Sequence, residues 1–92
     1  MVKKSEQIMK RLEEARKKVE DLANQRGILL KQKTELLVAG ESTDAVSKKI
    51  RALDCEIEDA RLLATGLEAQ LDETLRQEHL EEKKHLLTEI NE

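Results

Sequence analysis

The residues best suited to chemistry cluster late in the chain, where His79, Glu82 and His85 are flanked by Glu78 and Glu81. Glu82-Lys83-Lys84-His85 has the Glu-x-x-His spacing that puts a carboxylate and an imidazole on one face of a helix, as at the di-metal centres of helical bundles. Such a centre also needs inward carboxylates from neighbouring helices, and none is in prospect: the inward row of the first half offers only Arg26 and Lys33 as charged groups. His79 and His85, six residues apart, do not share a helix face. The lone Cys55 cannot form an internal disulfide, which agrees with a reducing compartment, and Asp54 and Glu56 beside it are the opposite of the cationic surroundings of a reactive thiolate. No glycine-rich phosphate loop, Ser–His–Asp arrangement or Cys/His metal cluster occurs. The expectation is a protein that is not an enzyme, with no metal, no cofactor and no small-molecule substrate.

A second kind of chemistry is electrostatic. Lys3, Lys10, Lys17 and Lys31 recur at sevenfold spacing, and Lys4, Arg11 and Lys18 sit one position further on, so a helix would carry them as a basic ridge. A ridge of this kind can track phosphates, which makes Lys3, Lys4, Lys10, Arg11, Lys17 and Lys18 candidate polyanion contacts. There is no aromatic residue to stack on a base, and Glu6, Glu13, Glu14, Glu20 and Asp21 line the other flank. A ridge paired with acids of a second helix or a second copy is the preferred reading, with nucleic-acid association as the alternative.

The elements that must position these groups follow from periodicity. Ile8, Leu12, Ala15, Val19, Leu22, Arg26, Leu29, Lys33 and Leu36 keep a four-three spacing, the signature of a coiled-coil seam. Arg26 and Lys33 interrupt it, and their stems are expected to pack while their charged ends reach acids such as Asp54 or Glu56. A second row, Met9, Ala23, Leu30 and Leu37, widens the apolar stripe beyond what one partner helix needs and implies a third or fourth helix. Next comes Val38-Ala-Gly-Glu-Ser-Thr-Asp-Ala-Val46, where Gly40 suits the left-handed residue that ends a helix and Ser42 or Thr43, with Asp44, supplies the start of another.

Val46, Ile50, Leu53, Ile57, Ala60, Ala64, Leu67 and Leu71 form a second seam without a polar interruption. The same frame then meets Thr74, Glu78, Glu81, His85 and Thr88, so the seam is expected to end near Leu71. Thr65-Gly66-Leu67-Glu68 fits a capping box that would split this helix, but the phase runs unbroken through it, so one helix is expected. Leu75, Leu80, Leu86, Leu87 and Ile90 follow on a different phase and are the candidate contacts for a second copy or a different protein.

The composition belongs to a coiled coil: 92 residues, 40% charged and 38% hydrophobic, with no proline and no aromatic side chain. Net charge is −3, but residues 1–39 carry ten Lys/Arg against six Asp/Glu and residues 41–92 carry seven against fourteen, a split that favours the two segments lying together. The fold predicted is all-α, an antiparallel two-helix coiled-coil hairpin associating as a homodimer into a four-helix bundle. It forms a single domain over residues 1–92: helix 1 about 3–39, turn about 40–43, helix 2 about 44–90, with an unpaired overhang about 81–92. No apolar run has the length of a signal-peptide core or of the ~20-residue membrane span, so a cytoplasmic location without membrane contact is expected. The function expected is protein–protein interaction, as an adaptor, scaffold or assembly chaperone.

Overall fold

In the computed structural model the backbone is described for residues 3–91 and the side chains for residues 3–84. Two α-helices make up the fold, α1 (Lys4–Val38) and α2 (Asp44–Asn91), and they pack on each other. At 1.5 Å per residue they are roughly 53 and 72 Å long, within a body measuring 81 × 17 × 16 Å. Three cross-helix pairs show the direction of packing. Ser5–Glu78, Arg16–Glu68 and Arg26–Asp54 are 73, 52 and 28 residues apart in sequence, a separation that shrinks toward the turn as antiparallel helices require. No described helix is long and apolar enough to cross a membrane.

The turn is built from backbone hydrogen bonds. Gly40 takes φ +74°, the left-handed conformation that costs an L-residue with a side chain about 1–2 kcal/mol. This lets the Gly40 N–H donate to the Leu37 carbonyl at 3.1 Å and the Glu41 N–H to the Leu36 carbonyl at 2.9 Å, a Schellman closure that satisfies carbonyls left open at the end of α1. α2 then starts with the Asp44 N–H donating to Ser42 Oγ at 3.4 Å and the Ser47 N–H to the Thr43 carbonyl at 2.8 Å. The Asp44 carboxylate lies in the first turn, where the helix dipole favours a negative charge.

Every position of the two four-three rows is buried or half-buried. The tightest packing is at the end away from the turn, where Ile8, Leu12, Ala15, Ala64 and Leu67 form one cluster with Leu71 against it. Toward the turn, Leu29, Lys33, Leu36, Val46 and Leu53 are only half-buried. The pairing also extends past the expected end of the seam at Leu71: Thr74 is buried and Glu78 half-buried, opposite a buried Ser5. Ser5 and Glu78 hold the last turns of the interface by bonding to one another, which an apolar count cannot register.

α2 passes through Gly66 without a break. The Thr65 hydroxyl, which a capping box would direct at a backbone N–H, instead donates to the Arg61 carbonyl one turn earlier at 3.0 Å. Thr34 makes the same bond to Leu30 in α1.

Candidate interaction surface

Within the interface, polar contacts set the register. Arg26 sits on the seam with its stem half-buried, and its Nε donates to Asp54 Oδ1 at 2.6 Å, the pairing its position implies. Lys33 is likewise half-buried on the seam, without an ion pair among the described residues. Nearer the open end, Arg16 Nη2 donates to Glu68 Oε1 at 2.9 Å. In both cross-helix ion pairs the cation belongs to α1 and the acid to α2, in line with the opposite charge of the two halves. The Arg16–Glu68 side chains are more than half exposed, so that pair contributes within the ~0–1 kcal/mol of a surface ion pair.

Glu78 plays a role that sequence spacing does not reveal. Lys3, which precedes α1, makes no side-chain cap, so the first N–H groups of that helix need another acceptor. Glu78 reaches across from α2 to supply one: the Ser5 hydroxyl donates to Oε2 at 2.9 Å and the Ser5 N–H approaches Oε1 at 3.4 Å. A carboxylate at the positive end of a helix is also favoured by the dipole. Both residues are within reach of the pattern, since Ser5 stands three before Ile8 and Glu78 continues the frame of α2, but polar types at seam positions read as its end.

Outside the interface, large apolar side chains face solvent. Met9, Ala23, Leu30 and Leu37, the row that broadens the stripe, are all exposed. They share a flank with the open side of the interface. Near the free end of α1 an open groove of about 650 Å³ runs between the helices, bordered by Met9, Leu12, Leu71 and Leu75, with Arg16 and Glu68 on its rim. A smaller groove of about 350 Å³ follows along the same flank, lined by Ala23, Arg26, Asp54, Ile57 and Arg61. Ile28, Leu62 and Leu63 are exposed as well, and periodicity does not single them out.

The predicted contact residues fall in different places. Leu75 borders the larger groove and is 46% exposed, whereas Leu80 lies beyond the Ser5–Glu78 pair and is 56% exposed. From His79 to Lys84 every side chain is exposed, and the α2 backbone continues helical to Asn91. The side chains of Leu86, Leu87 and Ile90 lie outside the described residues.

Lys3, Lys4, Lys10, Arg11, Lys17 and Lys18 are exposed along α1 and make no ion pair among the described residues. Of the two pairings anticipated for this ridge, with acids of the second helix or of a second copy, the first is not seen among the described residues; Glu68 and Asp54 bond Arg16 and Arg26. Cys55 is exposed. Among the described residues no three His, Cys, Asp or Glu side chains gather as a metal site, and the His85 half of the Glu82–His85 pair lies outside the described side chains.

Comparison with protein-family models, with curated proteins and with solved structures finds no match to this chain.

Proposed function

We propose that the chain is a non-enzymatic coiled-coil interaction module that acts as a homo-oligomer, associating into a four-helix bundle and serving as an adaptor, scaffold or assembly chaperone in the cytoplasm. The observation that carries this reading is the apolar row left in solvent after the two helices have paired: a hairpin that needed only its own seam would have no use for Met9, Leu30 and Leu37 on its surface. The extension of α2 beyond Glu78, with Leu80 exposed, supplies a second surface for another protein. Light scattering across micromolar concentrations tests the reading. A mass at least twice the 10.6 kDa of one chain is the expected result, and the mass of a single chain throughout would overturn self-association. The chain has no tryptophan or tyrosine, so its concentration must be read by refractive index or peptide absorbance.

A nucleic-acid-associated protein is the second reading, favoured by the absence of ion pairs to the six ridge cations among the described residues. It predicts retention on heparin and mobility shift of DNA or RNA, both falling steeply as salt rises. Failure to bind either at low salt would remove it.

A further inference from the structure

We infer that a second copy of this chain docks, antiparallel, on the grooved flank of α1, about a two-fold axis near Ala23. The inference rests on the self-association reading and adds to it the face, the direction and the centre of the contact.

Four features of the hairpin point to this occupant. The first is area. The chain exposes 7578 Å², about 2,000 Å² more than the surface scaling of compact monomers gives for 10.6 kDa. A standard interface covers roughly 800 Å² on each partner, so the hairpin has the excess that a stable dimer needs. No described side chain is completely buried, which places the deficit in the core itself.

Second, the exposed row is self-complementary in spacing. Met9, Arg16, Ala23, Leu30 and Leu37 are seven residues apart and symmetric about Ala23. A two-fold axis there sets Ala23 against Ala23, where small side chains permit close approach, and Met9 of one copy against Leu37 of the other. It also lays Leu30 along the stem of Arg16, whose guanidinium is held by Glu68. An isologous contact needs a patch that matches itself in this way.

Third, charge selects the direction. Arg16 stands within the exposed row itself, at one of the positions that would face the partner. Parallel copies in register would set Arg16 against Arg16, like charge on like, whereas antiparallel copies set each Arg16 against Leu30.

Fourth, the backbone is open at the right place. Gly27, one turn from Ala23 on the same flank, has nothing within 4 Å of where a Cβ would stand. In this arrangement the α2 extensions point away from each other past the turns of the opposite copies, which leaves them free for a different protein.

The test combines association with distance. Ala23→Glu should weaken dimerisation at least tenfold while helicity is kept, and Ala52→Glu, on an exposed position facing away from the groove, should leave it unchanged. A chain ended after His79 should still dimerise. Spin labels at Glu41→Cys, in a Cys55→Ser background, should lie about 55 Å apart in the dimer, since residue 41 of one copy is level with residue 5 of the other. A dimer indifferent to Ala23→Glu, or lost on truncation, or with labels about 20 Å apart as in a parallel pair, would overturn the flank assignment and leave self-association standing. An intact chain that is monomeric at all concentrations would overturn both.

Discussion

Single residues show where this hairpin gains stability and where it forgoes it. Glu78 caps a helix to which it does not belong, so Glu78→Ala should lower unfolding free energy by about 1 kcal/mol, the usual worth of an N-cap. Urea denaturation measures this directly, and an unchanged midpoint would mean that the Ser5 contact is incidental. Gly66 is the converse. It lies inside α2 without a conformational need for glycine, and a methyl group added there would meet nothing within 4 Å, so Gly66→Ala should add about 1 kcal/mol and raise the melting temperature by roughly 4–8 °C. Loss of stability on that substitution would show that the helix kinks or packs there. Gly40 differs from both, since its φ of +74° is required by the turn; Gly40→Ala should cost about 1–2 kcal/mol by the same denaturation assay.

At the scale of the elements, heptad phase carries most of the information. The two rows predicted from spacing are the two rows that face each other, and the turn falls at Gly40 because the chain there lacks apolar spacing and offers cap residues. Periodicity is blind to the last turns of the interface, where Ser5, Thr74 and Glu78 are held by a hydrogen bond and by burial that no apolar residue signals. For the ridge, cations at fixed spacing suggest pairing with α2 or with a second copy; among the described residues no ridge cation pairs with α2, whose Glu68 and Asp54 bond Arg16 and Arg26. The flank grooves are only half legible, as a stripe too wide for one partner helix. Their shape depends on how far apart the two helices stand, which no single-helix pattern contains. Burial along the seam gives the corresponding prediction. Leu67→Asp should abolish the cooperative transition seen by circular dichroism, because an unpaired buried charge costs several kcal/mol, whereas Leu62→Asp, on a 64% exposed position, should shift it little. Equal effects of the two would mean that the seam is misassigned.

For the whole molecule, the proposal of an interaction module follows from what pairing within one chain accomplishes and what it leaves undone. The radius of gyration is 22.0 Å, against about 12 Å for a compact domain of this length, and no described side chain is completely buried; the cover proposed for the apolar flank is a second copy of the chain. Both surfaces exist because each chain folds back on itself. A chain that ran on as one long helix through the turn would pair with other chains along its length and would have neither the flank grooves nor the α2 extension. The decisive measurement is the distance between labels at Lys10→Cys and Glu73→Cys in a Cys55→Ser chain, diluted with unlabelled protein so that only pairs within one molecule report. The antiparallel hairpin places these exposed positions side by side, roughly 20–25 Å apart given helix axes about 10 Å apart and the reach of the labels. A distance beyond about 60 Å, which a continuous helix between them would impose, would contradict the hairpin and every surface derived from it.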